Sequence, residues 1–379
     1  MTQHLPPRRP QPPKGAWHAA LRVVLLTSLA ATVTRAQVFR DFPGFRDVAH
    51  EVGLTLMNIS GEARKDYIIE VNGNGAAFFD YDNDGDMDVL ITNGSTLKHY
   101  AAGGDPVAAL YENGGGVFRD RTKEAHLDKT RGWAFGVCVA DYDNDGYQDF
   151  YVTAYGPNLL FRNKGDGTFE ERAASAGVAD PRWGTGCAFG DYDHDGYVDL
   201  YVANYLKFDE KVIPRRGSDV CVYMGTLKVF CGPKGLSGEA DVLYRNNGDG
   251  TFTDVTIKAG IKDPGYYGFG VVFSDLDNDG WPDIYVANDS VPNFLFRNKR
   301  DGTFEEMGLI SGTSLNLFGK PQAGMGVSVG DYDGNGYFDI YVTNFAEDTN
   351  TLYRNLGGMS FSDVTVESGA ASASRPHLG

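Results

Sequence analysis

The chain has 379 residues, room for one large domain or two ordinary ones, and its 42% hydrophobic and 13% aromatic content supplies a sizeable core. A net charge of −17 argues against nucleic acid and anionic membrane as partners. The 49 glycines follow no collagen-like period and favour many short strands over long helices.

The chain opens with a basic stretch, Arg8, Arg9 and Lys14, followed by the apolar run Val23 to Val33 and a cleavage point after Ala36. Residues 1–36 read as a signal peptide, with an N-terminal anchor as the alternative. No later apolar run is long enough to cross a bilayer. The mature chain is therefore expected to be secreted to an extracellular location, or to the periplasm or cell surface in a bacterium. No stable membrane insertion is expected after cleavage. In such a compartment the four cysteines, Cys138, Cys187, Cys221 and Cys231, can be oxidised.

From Phe45, "FRDV" reads as a strand without its own blade. Then a repeat begins. "FFDYDNDGDMDVLITN" returns as "ADYDNDGYQDFYVTA", "GDYDHDGYVDLYVAN", "SDLDNDGWPDIYVAN" and "GDYDGNGYFDIYVTN". Each copy is followed by a second motif such as "LYRNNGDGTFTD". One unit is thus a strand, an Asp loop, an apolar strand, a "LYRN" strand, a Gly turn and a "TFxD" strand. The strand after each loop holds three apolar residues without alternation, which predicts burial on both faces. Four-stranded sheets stacked on like sheets give that environment, so the fold class is all-β, a β-propeller. Residues 37–365 are assigned to five repeat units and 366–379 to the start of an incomplete further blade. The stretches Asp80 to Asn113 and Asp191 to Asn246 are longer than their counterparts, which places insertions between the second and third strands of units one and three.

Packing so many carboxylates into tight loops requires a counter-charge. Ca²⁺ takes six to eight oxygens, mostly carboxylates and carbonyls. In the first loop Asp80, Asp82, Asp84 and Asp88 are expected as side-chain ligands and Asp86 as a carbonyl ligand. The same positions elsewhere are Asp141, Asp143, Asp145, Tyr147 and Asp149, then Asp191, Asp193, Asp195, Tyr197 and Asp199. They recur as Asp275, Asp277, Asp279, Trp281 and Asp283, and as Asp331, Asp333, Asn335, Tyr337 and Asp339. Gly85 and its counterparts sit where the chain bends and are expected at positive φ. The loops hold 20 of the 51 acidic residues, and five Ca²⁺ would take the net charge from −17 to −7. An EF-hand is rejected. Its twelfth-position Glu is replaced by Ile91, Val152, Val202, Val286 and Val342, all in strands.

These motifs resemble the FG-GAP/VCBS repeat, the calcium-binding blade also found in integrin α subunits. With "FRDVAHEVGL" and "CVYMGTLKVFCGPKGL" the chain is similar to the cartilage acidic protein (ASPIC/UnbV) family of exported proteins. The resemblance implies a propeller, usually of seven blades, and extracellular binding or adhesion rather than a known reaction. With five units counted, a truncated chain or fragment is the reading.

The sequence has no HExxH or P-loop. The expected function is an extracellular calcium-binding module for a protein or glycan, with a polysaccharide-active propeller enzyme as the alternative. Trp133 and Trp183 precede inner strands, where packing between blades outweighs stacking on sugars. Cys221 and Cys231 lie in the longest insertion and are expected to form a disulfide. Cys138 and Cys187 stand three and four residues before their loops, so their opposite facing predicts buried thiols. Connections alternate between the two ends of a blade, so the insertions lie opposite the Asp loops. There Lys211, Arg215, Arg216, Tyr223 and Phe230 form the candidate ligand surface for an acidic partner.

Overall fold

The computed structural model describes residues 45–223, 225–345 and 348–374. The signal-peptide assignment lies outside the described residues. Five four-stranded antiparallel sheets follow one another along the chain. Blade 1 comprises Ala76–Phe79, Asp88–Thr92, Ala108–Asn113 and Phe118–Asp120, and blade 2 Ala134–Ala140, Asp149–Ala154, Leu159–Asn163 and Phe169–Glu171. Blade 3 comprises Gly184–Gly190, Asp199–Asn204, Val242–Asn246 and Phe252–Asp254. Blade 4 comprises Gly268–Ser274, Asp283–Asn288, Phe294–Asn298 and Phe304–Glu306, and blade 5 Gly324–Gly330, Asp339–Asn344, Thr351–Asn355 and Phe361–Asp363. Among the described residues helix is confined to short turns such as Ala173–Ala176 and Gly308–Ser311.

The three apolar residues of each second strand are buried because both faces of the sheet meet a neighbouring blade. Phe150, Tyr151 and Val152 are wholly inaccessible. Phe79 and Leu90 of blade 1 pack with Phe150 and Phe161 of blade 2. Tyr151 of blade 2 packs with Val202 and Phe252 of blade 3. Like cores join blade 3 to 4 and blade 4 to 5.

First strands of consecutive blades lie side by side. One glycine in each allows it. A Cβ on Gly136, Gly186 or Gly270 would stand 2.3, 1.9 or 2.6 Å from the carbonyl oxygen of Thr185, Phe269 or Met325 in the next blade. The pairing of first to second strand is irregular at the same places. Among the described residues no comparable packing joins blade 5 back to blade 1.

The two outer faces of the stack differ. On blade 1, Leu54 and Leu56 pack with Val89, Tyr111 and Phe118, and the Phe118 N–H donates to the Val52 carbonyl at 2.7 Å. The expected strand at residues 45–48 does not form, and those residues are exposed. On blade 5, Tyr332 is 51% exposed, whereas its counterparts Tyr81, Tyr142 and Tyr192 are at most 5% exposed against the next blade. Residues Ala370–Ser374 form a helical turn.

Cys138 and Cys187 are joined in a disulfide with Cα atoms 5.8 Å apart, which corrects the expectation of free thiols. The opposite facing is real. Cys138 pairs across from Tyr151 and Cys187 from Val202. Blades stack face to face, however, so a forward-facing cysteine of blade 2 meets a backward-facing cysteine of blade 3. Cys221 and Cys231 are joined as expected.

Candidate metal centre

Each Asp loop is a tight bend between first and second strands. Gly85 has φ +93, and its counterparts Gly146, Gly196, Gly280 and Gly336 lie near +88, in the region that favours glycine. The first aspartate caps the bend. Asp141 Oδ1 accepts from the Asp145 N–H at 3.0 Å and its Oδ2 from the Gly146 N–H at 2.8 Å. Asp80, Asp191, Asp275 and Asp331 do the same.

The last aspartate ties the loop to the third strand. Asp149 accepts from the Tyr142 and Asn163 N–H groups, and Asp88, Asp199, Asp283 and Asp339 accept from the equivalent pairs. Burial pushes Asp149 and Asp199 up to about 8, Asp283 to about 7 and Asp88 to about 6. A cation beside them would favour the ionised forms and reverse that shift.

The second aspartate supplies the clearest sign of fit. Asp277 keeps only 5% of its side chain exposed. One oxygen accepts from Arg297 and the other, though buried, has no partner. Asp143 and Asp193 are divided in the same way, with Oδ2 on Arg162 or Arg245 and Oδ1 orphaned. Buried oxygens without donors are rare in folded proteins, and a hard cation is a partner that would satisfy them.

Ligand-capable oxygens lie within 4.8 Å of one another in Asp80, Asp82 and Asp88; Asp141, Asp143 and Asp149; and Asp191, Asp193 and Asp199. They do so again in Asp275, Asp277 and Asp279, and in Asp331, Asp333 and Asp339. Asp84, Asp145 and Asp195 stand outside these groups, and Asn335 of the fifth loop occupies the same third position. Their side-chain oxygens accept from the N–H two residues on, that of Asp86, Tyr147, Tyr197 or Tyr337; Asp279 accepts likewise from Trp281 yet stands in the fourth group, where Asp283 does not.

Two features escaped the sequence reading. The arginine of "LYRN" or "LFRN" reaches back to the loop. Arg162 bonds Asp143 and Asp145, Arg245 bonds Asp193 and Asp195, Arg297 bonds Asp277, and Arg354 bonds Asp333. The following asparagine links blades. Asn163, Asn246, Asn298 and Asn355 donate to the carbonyls of Tyr81, Tyr142, Tyr192 and Leu276 in the Asp loop of the preceding blade, across the blade interface. The recurrence of the Arg-Asn pair in the motif after four of the five loops was the available signal.

A family model for FG-GAP-like repeats matches residues 80–152, 141–202, 225–286 and 275–342, more than half of the chain and all five of these loops.

The chain belongs to the FG-GAP-like repeat family.

Among curated relatives, Cartilage acidic protein 1 of Xenopus tropicalis is 26% identical over 349 residues, covering 77% of this chain and 52% of that protein. The Homo sapiens protein of that name is 27% identical over 333 residues, covering 74% and 49%. This FG-GAP-like chain thus spans about half the length of the curated relatives it matches. Among solved structures, an Agrocybe aegerita lectin that recognises non-reducing terminal N-acetylglucosamine is similar with a TM-score of 0.43 at 17% identity, over 85% of this chain and 69% of that one.

At the other end of the FG-GAP-like blades, Trp133 and Trp183 are 1% exposed, so they pack rather than face solvent. They share a cluster with Ile68, Ile69, Phe135, Tyr205 and Phe208, against which Phe230 is partly buried. Lys211, Arg215, Arg216 and Tyr223 are exposed. Arg215 is also ion-paired with Asp66, and the Arg216 N–H donates to the Asp66 carbonyl. His194, exposed in the third loop, stacks on Trp281 at 4.1 Å. Of the three Asn-X-Ser/Thr sequons, Asn93 and Asn288 are buried and Asn58 is exposed. Among the described residues no helix is long and apolar enough to cross a membrane.

Proposed function

We propose that the protein is an exported, calcium-binding propeller module that recognises an acidic protein or glycan through the end opposite its Asp loops. The observation that carries the calcium part is the set of orphaned, shielded oxygens on Asp143, Asp193 and Asp277, each beside two further aspartates. Two disulfides support an oxidising compartment. The ligand end is supported by contrast. The loop end repeats one backbone design, whereas the insertion after Tyr205 presents Lys211, Arg216 and Lys228 beside the exposed Val212, Val220, Val222 and Leu227. Irregular loops on a rigid frame are where recognition concentrates.

The test is a glycan and protein array probed with and without calcium, followed by the double substitution Lys211→Ala with Arg216→Ala. Binding that requires calcium and weakens in the double variant supports the reading. Binding that survives it but is lost on substituting Asp86, an exposed loop residue, puts the ligand at the other end.

A further inference from the structure

The five loops differ in one residue of the third strand. Blades 2 to 5 place Arg162, Arg245, Arg297 and Arg354 against their loops. Blade 1 has Glu112 at that position of its repeat, "LYEN" in place of "LYRN". Glu112 accepts from the Tyr81 hydroxyl at 3.3 Å and is held by Arg121, with Nε donating to Oε2 at 2.7 Å and Nη2 to Oε1 at 3.2 Å. We propose that Glu112, standing where the other blades carry an arginine, makes the first loop the tightest cation site of the five. The inference rests on the calcium part of the proposed function.

The first four loops each hold four aspartates at ligand side-chain positions and the fifth holds three, and the first loop adds the charge of Asp86, expected to bind through its carbonyl. Arginine removes one charge from each of the last four loops, and the fourth receives a second from Arg300, which pairs with Asp279. In the first loop Arg121 is engaged by Glu112, and among the described residues no arginine or lysine side chain pairs with the five aspartates. The affinity of carboxylate sites for Ca²⁺ rises with the charge of the ligand set. The second aspartate tells the same story. In the second, third and fourth loops arginine holds one of its oxygens and leaves the other orphaned and shielded. Asp82 is exposed, and among the described residues no arginine pairs with it. The first loop therefore gains most in both charge and order when a cation arrives. The expected order is the first loop, then the second and third, then the fourth and fifth.

The experiment is a calorimetric Ca²⁺ titration of the full chain, with Tb³⁺ luminescence as a second readout of site occupancy. Wild-type protein is expected to show more than one class of site. Glu112→Arg should weaken the tightest class by at least about tenfold, a change of about 1.4 kcal/mol or more, and Glu112→Gln by a smaller factor. Asp82→Asn should remove the same class, which assigns it to the first loop. If Glu112→Arg does not fold, as judged by circular dichroism, the Glu112→Gln titration decides. Five sites of equal affinity, or a tightest class that both Glu112 variants leave unchanged, would overturn the proposal and leave calcium binding itself standing. No binding by the wild type would remove both.

Discussion

At the loop end of the molecule each blade repeats one polar lattice. A first aspartate caps the bend, a last one ties it to the third strand, and an asparagine bridges to the neighbouring blade. At the opposite end the repeat gives way to single solutions. The 3-10 turn Ile68–Glu70 and the insertion after Tyr205 bury the Trp133 and Trp183 rings in an aromatic cluster. The first end concentrates carboxylates and the donors that hold them, and the second concentrates apolar burial. Periodic sequence therefore marks where chemistry is shared between blades, and its interruption marks where the chain has been individualised.

The largest effect should come from removing metal. A site held at a hundred times its Kd contributes about 2.7 kcal/mol, so three occupied loops would contribute about 8 kcal/mol. Chelation is expected to lower the melting temperature by more than about 10 °C. An unchanged transition in excess chelator would mean that arginine and backbone donors alone hold the loop end, and the contrast between the ends would fail. The matching change at the other end is Trp183→Ala. This ring is 1% exposed and lies 5.0 Å from Tyr205 and 5.4 Å from Phe135, measured between centroids. Its loss should cost about 3–5 kcal/mol in denaturant unfolding. It should do so equally with and without calcium. A loss that calcium abolishes would show the two ends to be coupled.

Much of the loop end was legible in the sequence, because a short loop fixes its own geometry. The register of the aspartates, the positive φ of Gly85 and the double-sided burial of Phe150 to Val152 all followed from spacing and side-chain type. What was not legible depends on where distant strands come to lie. A motif with the Arg-Asn pair follows four of the five loops, yet only the paired sheet shows that Arg162 returns to Asp143 while Asn163 crosses to Tyr81. Arg215 reads as a free surface cation until Asp66, far earlier in the chain, is seen to pair with it. The facing of Cys138 and Cys187 was deduced, but their union required knowing that blades stack rather than pair edge to edge.

That disulfide lies between the two ends and offers an intermediate test. It closes a loop of sequence separation 49 and staples blade 2 to blade 3. The paired change Cys138→Ser with Cys187→Ser should cost about 2–4 kcal/mol through the unfolded chain. Mass mapping of the intact protein should find Cys138 linked to Cys187 and Cys221 linked to Cys231. Because the constraint acts on the unfolded state, the loss should again be the same with and without calcium. Affinity for the ion that falls in the variant would place the staple in the metal centre instead.

The smallest and most specific expectation concerns Asp241, at the end away from the loops. Blades 2, 4 and 5 place Asn158, Asn293 and Asn350 at this position, and each side-chain oxygen accepts from the backbone N–H closing the second strand. Asp241 does the same from the Asn204 N–H, and it also accepts from the Tyr201 hydroxyl at 2.9 Å. It is 1% exposed. Burial holds its carboxyl well above the ordinary range, repulsion from Asp263 adds to this, and Arg182 opposes it. A carboxyl raised in the folded state binds its proton more tightly there than in the unfolded chain. Its stabilising contribution is complete below the ordinary carboxylate pKa and is lost as pH rises from there toward the folded value. Asp241→Asn keeps the acceptor for Asn204 and removes the ionisable group. At neutral pH the variant should equal or exceed the wild type by on the order of 1 kcal/mol, and near pH 4 the difference should shrink or change sign. Urea unfolding of both proteins in calcium between pH 4 and 8 measures it. A difference that does not vary with pH would show that Asp241 stays ionised in the fold, with Arg182 as its working partner.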